Sequence, residues 1–209
     1  MPNNLTLFTN PMSRGRIARW MMEEAGQPYE VMNVPFGPQM KSGEYRSVNP
    51  MGKVPALRHG EHVVTECAAI CAYMAETFPQ AGLAPTADER ADYFRWMFFA
   101  AGPLEQAVTN RAMGFVVPDD KRGMSGYGSY ETVMNTLEKA VSAHDFIAGN
   151  RFTAADVYVG SAVAWGLLFG SIEKRPAFEA YAGRVTAREA YRRTHQLCEK
   201  EGEAMKAAG

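Results

Sequence analysis

Three short segments carry residue types that can handle a peptide and a thiol. The first is Thr9-Asn10-Pro11-Met12-Ser13-Arg14-Gly15-Arg16. A hydroxyl at Ser13, between a strand and a helix, can donate a hydrogen bond to a bound sulfur while the helix N-terminus adds favourable potential. A free cysteinyl thiol has a pKa of about 8.5; lowering it by about 2 units, worth about 2.7 kcal/mol, makes thiolate the main species at neutral pH. The same serine would serve equally well as a plain helix N-cap. The second segment is Asn49-Pro50-Met51-Gly52-Lys53-Val54-Pro55-Ala56-Leu57. If the Val54–Pro55 bond is cis, the chain turns and leaves the Val54 N–H and C=O open to an extended peptide lying alongside as an added strand. A trans proline on an edge strand is the plainer reading of the dipeptide, since only about 5% of X–Pro bonds in folded proteins are cis. The third is Thr65-Glu66-Cys67-Ala68-Ala69-Ile70. Amides at a helix start near Cys67 suit a carboxylate, and Glu66 suits an ammonium, so together they read an α-amino acid head group. Thr65 as N-cap with Glu66 complementing the dipole explains the same residues without a ligand.

The elements that must position these residues follow from pattern. Leu5-Thr6-Leu7-Phe8 alternates as a strand, and Asn10-Pro11 breaks it. A helix is predicted from about Arg14 to Ala25, with Ile17, Trp20 and Met21 on one face and Gly26 as its stop. Tyr29 to Val34 reads as a second strand, giving a right-handed strand–helix–strand unit with parallel pairing. After the loop Pro35 to Gly43 come a short helix over Glu44 to Val48 and two strands, Val54 to Leu57 and Glu61 to Val64, joined by a turn at Arg58-His59-Gly60. A helix over Thr65 to Phe78 follows, with Ile70, Tyr73, Met74 and Phe78 at helical spacing, and everything after Thr86 has helical pattern in about five helices. The fold class expected is α/β plus all-α, with residues 1–78 as a β-α-β, α-β-β-α domain, 79–87 as linker and 88–209 as an all-helical domain.

Composition narrows the function classes. With 46% apolar and 22% charged residues and a net charge of −1, the chain has the make-up of a globular protein rather than of a nucleic-acid binder with a wide basic stripe. Two basic clusters, Arg14, Arg16, Arg19 and Arg188, Arg192, Arg193, read as solvated helix faces. Met1-Pro2-Asn3-Asn4 shows no signal-peptide pattern, and Val157 to Phe169, the longest apolar stretch, reads as a buried helix too short to span a membrane. Cys67, Cys71 and Cys198 form neither a CxxC pair nor a zinc pattern, and a cytoplasmic location is expected. The His59 and His62 pair reads as exposed on a hairpin, with no metal site expected.

Taken together, these segments resemble the cytosolic glutathione transferases over nearly the full chain. The stretch from Lys41 to Pro55 resembles the phi-class loop in spacing, and Asn10 to Arg16 looks like bacterial members; the whole is phi- or theta-like with a serine-type site. The resemblance implies a thioredoxin-like glutathione-binding domain followed by a helical domain that contributes the electrophile pocket. It implies Ser13 as the thiol-activating hydroxyl, Val54 pairing with the cysteinyl backbone of glutathione beside cis-Pro55, Lys41 and Lys53 on the glycyl side, and Glu66 with Cys67 on the γ-glutamyl head. Counting back from Gly26 places the activating residue at Met12 or Ser13; Met12 has no donor, which leaves Ser13, with Asn10 as second candidate. Cys67 stands where the family usually has serine, and Met40 where many phi-like members have histidine.

In the helical half, Phe152-Thr153-Ala154-Ala155-Asp156-Val157 spells a capping box from Thr153 to Asp156 with a hydrophobic staple from Phe152 to Val157, a landmark of the same fold. Met12, Phe36, Met113, Phe115, Tyr127 and Trp165 are candidates to line a second-substrate pocket, whereas Trp96-Met97-Phe98-Phe99 is expected in the core. The expected activity is conjugation of glutathione, as co-substrate with no other cofactor, to small, mostly apolar electrophiles by a homodimer, with no nucleic-acid or membrane partner. Glutathione-dependent peroxidase, isomerase, dehalogenase or lyase chemistry would use the same site, and a non-catalytic interaction protein could keep the fold.

Overall fold

The computed structural model describes residues 4–207. Residues 1–3, on which the absence of a signal pattern was read, and the last two residues of the chain lie outside the described residues. β1 (Leu5–Thr9) buries Leu5 and Leu7 on one side and turns Phe8 to the other, as its alternation requires. It pairs parallel with β2 (Glu30–Asn33), Thr6 opposite Glu30, and antiparallel with β3 (Ala56–His59), Phe8 opposite Ala56; β3 pairs antiparallel with β4 (His62–Thr65), Ala56 opposite Thr65. The sheet order is β2-β1-β3-β4. With α1 (Gly15–Ala25), α2 (Gly43–Val48) and α3 (Cys67–Thr77), this is the thioredoxin-like arrangement expected.

Trp20, Met21 and Met22 of α1 and Ile70 and Met74 of α3 are buried with Leu5, Leu7 and Leu57. A separate cluster of Phe8, Val34, Met40, Tyr45, Val48 and Ala56, with Val54 packed against it, holds α2 and its flanking loops in place.

Two local readings need correction. β3 and β4 lie later than predicted, so the hairpin turn falls at Gly60 and Glu61, and Arg58 and His59 belong to the strand. His59 is consequently not exposed: it is buried, and its Nδ1 lies 2.8 Å from the Tyr73 hydroxyl of α3, while His62 stays exposed.

The chain divides into two compact units, one comprising the residues up to Leu83 together with Arg188 onward, the other Ala84–Ala187. The last helix, α9 (Glu189–Ala207), therefore groups with the first unit and not with the helical domain in which the sequence placed it. It buries Ala190, Thr194, Cys198 and Gly202, and its charges complement those of α1. The Arg19 guanidinium donates to both carboxylate oxygens of Glu201 (3.0 and 3.1 Å), Arg188 pairs with Glu24 at 2.7 Å, and Arg193 pairs with Glu23. Tyr191 adds an edge-on contact to Trp20, ring centroids 4.9 Å apart. Arg19, buried, and Arg188, half-buried, are thus pairing residues rather than the solvated faces their clustering suggested, while Arg193 is paired and exposed.

In the second unit α4 (Arg90–Phe99) continues through a π-helical turn, Ala100–Leu104, into α5 (Glu105–Ala112). Pro103, which has no N–H to give, sits inside that wide turn. α6 (Tyr130–Ala143), α7 (Ala154–Phe169) and α8 (Pro176–Thr186) complete the unit. Trp96 and Met97 are in the core as expected, but Phe98 is 72% exposed. No helix among the described residues is long and apolar enough to cross a membrane.

The capping box at the start of α7 is present, with Phe152 and Val157 buried beside it. Asp156 does more than cap: its carboxylate accepts from the N–H groups of Ile147 (2.7 Å) and Thr153 (2.9 Å) and from the hydroxyls of Tyr181 (2.9 Å) and Thr153 (3.2 Å). Burial raises its pKa against the downward pull of those bonds.

Two expectations follow from these contacts. Asp156→Ala strands four buried donors and should cost about 3 kcal/mol or more, lowering Tm by roughly 10 °C in a thermal melt. A double-mutant cycle on Glu24→Gln and Arg188→Gln should give a coupling energy of about 1 kcal/mol, because Glu24 is almost fully covered; a coupling of zero would mean that this pair adds nothing to the docking of α9.

Candidate functional site

The strand register gathers the three chemistry-bearing segments at one edge of the sheet. Phe8 faces Ala56 and Ala56 faces Thr65, so the chain leaving β1, the chain entering β3 and the chain leaving β4 meet there. Ser13 follows β1, Val54 precedes β3, and Glu66 and Cys67 follow β4.

The turn after β1 is organised by Asn10, which is buried. Its Nδ2 donates to the Val34 carbonyl at 3.0 Å and its Oδ1 accepts from the Met12 N–H at 2.9 Å. Its main-chain carbonyl accepts from both the Ser13 N–H (3.0 Å) and the Ser13 hydroxyl (2.7 Å). The Ser13 oxygen in turn accepts from the Gly15 N–H at 2.9 Å. A side chain at Gly15 would place its Cβ 2.0 Å from Thr9 Oγ1, so only glycine lets α1 start this close to the strand. Asn10 therefore has its side-chain groups committed to the turn and holds Ser13, while Ser13 is half-buried.

The Val54–Pro55 peptide is cis. Val54 stands just outside β3, and among the described residues its backbone N–H and C=O have no hydrogen-bond partner. The residue before it is pinned: the Lys53 carbonyl accepts from the Tyr45 hydroxyl and from Asn49 Nδ2, each at 2.7 Å. Burial pushes the Tyr45 phenol up to about 12, which keeps it a donor at neutral pH. Asn49 also closes the loop internally, accepting from the Met51 N–H at its side chain (3.1 Å) and from the Gly52 N–H at its carbonyl (2.8 Å). Gly52 has φ of 55°, and a Cβ there would come within 2.8 Å of the Met40 carbonyl. Lys41 Nζ is engaged with the carbonyls of Gly52 (2.7 Å) and Met51 (3.3 Å), whereas Lys53 projects into solvent.

At the third segment Thr65 is the last residue of β4 rather than the helix cap. Glu66 occupies the cap position with φ of 67° and ψ of 125°, the sole positive φ outside glycine among the described residues. Its side chain is exposed while its carbonyl starts α3, accepting from Ile70 at 2.9 Å. A left-handed glutamate costs on the order of 1 kcal/mol and marks sites where side-chain direction matters. Cys67 is buried at the first position of α3, and its thiol donates to the Arg14 carbonyl at 3.5 Å, tying α3 to the Ser13 turn. Cys71, one turn on, is fully buried, and burial raises its pKa well above the ordinary thiol value.

Of the second-substrate candidates, Met12 and Phe36 belong to the first unit and Met113, Phe115, Tyr127 and Trp165 to the second. Met12 and Phe36 are exposed in the first unit. In the second unit Phe115 and Tyr127 line a common cavity of about 250 Å³ and Met113 caps α5 beside it, while Trp165 lies on α7 against Phe169. Asn49 and Tyr45 are the positioning residues that sequence reasoning missed. An asparagine two residues before Met51 is the signal for the side-chain turn, but the Tyr45 contact needs the packed fold.

A family model, glutathione S-transferase N-terminal domain, matches residues 3–76. Glutathione S-transferase A of Pleuronectes platessa is 30% identical over 158 residues, covering 71% of this chain and 70% of that one. Glutathione S-transferase GST-4.5 of Xanthomonas campestris is 28% identical over 191 residues, 88% of this chain and 93% of that one. Among solved structures, the theta class glutathione S-transferase of Xanthomonas axonopodis pv. citri, with glutathione bound, superimposes with a TM-score of 0.72 at 27% identity, covering 92% of this chain and 97% of that one. By sequence and by fold, the chain belongs to the glutathione S-transferase family of enzymes.

Proposed function

We propose that the chain conjugates glutathione to small, mostly apolar electrophiles, with the tripeptide lying along Val54. The observation that carries this reading is the unpaired, rigidly held Val54 backbone at the same sheet edge as Ser13 and the start of α3. The cysteinyl N–H and C=O of glutathione pair with Val54 as an added strand would. The γ-glutamyl carboxylate meets the first turn of α3, and its ammonium meets Glu66. Lys53, free in solvent, is the cation for the glycyl carboxylate, while Lys41 supports the loop by clamping Gly52. The glutathione bound in the Xanthomonas axonopodis relative supports this choice of ligand.

Ser13 activates the sulfur by redirecting one bond. Its hydroxyl proton leaves the Asn10 carbonyl, which keeps the Ser13 N–H, and turns to the sulfur. The Gly15 N–H remains on the Ser13 oxygen and polarises the O–H, making it a better donor to an anion. The thiolate attacks the electrophilic carbon, the S–C bond forms, and the leaving group departs with its electron pair; the thiol proton has already passed to solvent. Positioning supplies the remainder of the acceleration. The exposed Phe94 and Phe98, one turn apart on α4, support a homodimer, and the three buried free thiols fit a reducing cytoplasm.

The ultraviolet thiolate band of bound glutathione, recorded against pH, tests this directly. The bound thiol should titrate about 2 units below the free value, so conjugation of 1-chloro-2,4-dinitrobenzene rises with pH through that lowered pKa. Ser13→Ala should move the titration back toward about 8.5 and slow conjugation at neutral pH by about tenfold or more, with Ser13→Thr restoring part of it. Wild-type rates in Ser13→Ala would remove Ser13 from the mechanism. Asn49→Ala removes one of the two donors to the Lys53 carbonyl and opens the turn to Met51, and should raise KM for glutathione several-fold, up to about tenfold, with a smaller change in kcat.

A further inference from the structure

The cavity in the helical unit has a chemistry of its own. It lies where α5 ends, along the loop that runs to the start of α6, and is an open-mouthed hollow of about 250 Å³. Its walls are Ala107, Phe115, Val117 and the rings of Tyr127 and Tyr130. Arg111 joins this lining with its guanidinium carbon 4.0 Å from the centroid of the Tyr130 ring. The platform is fixed, because the Tyr130 hydroxyl donates to the Ser171 carbonyl (3.1 Å) and accepts from the Glu173 N–H (3.3 Å). Stacking covers one face of the guanidinium and leaves its N–H edge open.

Arg111 has no carboxylate partner among the described residues, whereas Arg122, also on the lining, is neutralised by Asp119 at 2.6 Å. Tyr127 supplies a second donor. Its hydroxyl accepts from Asn110 Nδ2 at 3.2 Å, but its own proton meets no acceptor among the described residues, although the residue is 8% exposed. Phe115 is 63% exposed on the same lining as Arg111, which is itself exposed, so an apolar and a cationic group stand side by side without a carboxylate partner among the described residues.

We infer that this cavity is a binding site for a small aromatic carboxylate. The carboxylate pairs with the open edge of Arg111 and accepts from Tyr127, and the ring fills the space between Phe115, Val117 and Tyr127. The volume is below that of drug-sized pockets and suits one ring. The assignment uses residues of the helical unit alone and stands independently of the glutathione reading.

Benzoate and its neutral isostere benzamide, titrated into uniformly ¹⁵N-labelled full-length protein with and without saturating glutathione, test it. Benzoate should shift the amides between residues 107 and 130 and the Arg111 Nε–H signal, with a Kd of about a millimolar or tighter. Benzamide should bind about tenfold more weakly, and Arg111→Gln should weaken benzoate about tenfold and erase that preference. Arg111→Lys should retain part of the preference, and Tyr127→Phe should cost about threefold. Equal binding of benzoate and benzamide to the wild type, unchanged benzoate affinity in Arg111→Gln, or shifts confined to residues outside this segment would each overturn the assignment. The benzamide comparison uses the wild type, so the test holds even if a variant fails to fold.

Discussion

A protein that recognises a peptide by its backbone must leave some of its own backbone unpaired, and it must do so without letting that segment collapse into the sheet. On the proposed reading, Val54 is the segment under this constraint. Its N–H and C=O have no partner among the described residues, while the Lys53 carbonyl is bound twice and Ala56 enters two ladders at once. Unpaired amide groups beside a packed cluster are costly when buried and tolerable when water or a ligand reaches them. The cluster of Phe8, Met40, Tyr45 and Val48 beneath the loop keeps the Tyr45 and Asn49 donors aimed at one carbonyl, so preorganisation of the edge rests on apolar packing.

The same economy governs the turn at Ser13. Asn10 satisfies Val34 and Met12 with its side chain and Ser13 with its carbonyl, so one buried residue fixes the strand end, the loop and the hydroxyl. The Arg14 carbonyl then accepts the Cys67 thiol, linking the turn to the start of α3. Sulfur is a weaker donor than oxygen, so this polar link is a light one and the junction rests mainly on the packing of the buried Cys67. Placing α9 against α1 adds rigidity behind the turn, since α1 begins at Gly15, directly beside Ser13.

Much of this was legible in the sequence, for reasons that differ from residue to residue. The alternation in β1, the apolar face of α1 and the Thr153–Asp156 capping box are local patterns, and each produced its element within a residue or two. The β3–β4 hairpin was read early in the chain because Val54 and Pro55 look like strand residues; the cis bond removes them from the ladder and moves β3 to Ala56–His59. His59 then changed from exposed to buried as a direct consequence of that shift, since strand membership and not residue type decided which way it faces. The left-handed Glu66 had no local signal at all, because it arises from joining an antiparallel strand to a helix within one residue.

The placement of α9 shows where sequence reasoning reaches its limit. Periodicity states which face of a helix is apolar but is silent on which neighbour covers it, and α9 shares its periodicity with the helices of the other unit. The deciding information lies in pairs separated by more than 160 residues: Glu23 with Arg193, Glu24 with Arg188, Arg19 with Glu201. Each partner, read alone, is an ordinary surface charge. Read together, they are opposite in order, with two acids on α1 facing arginines just before and early in α9 and a buried arginine on α1 facing an acid late in α9. That reversal favours one orientation of α9 on α1 over the flipped one, where Arg19 would oppose Arg188 and Arg193. A charge order of this kind specifies docking geometry more than it adds stability, and it explains how a terminal helix finds its place in the first unit after more than a hundred intervening residues have folded elsewhere.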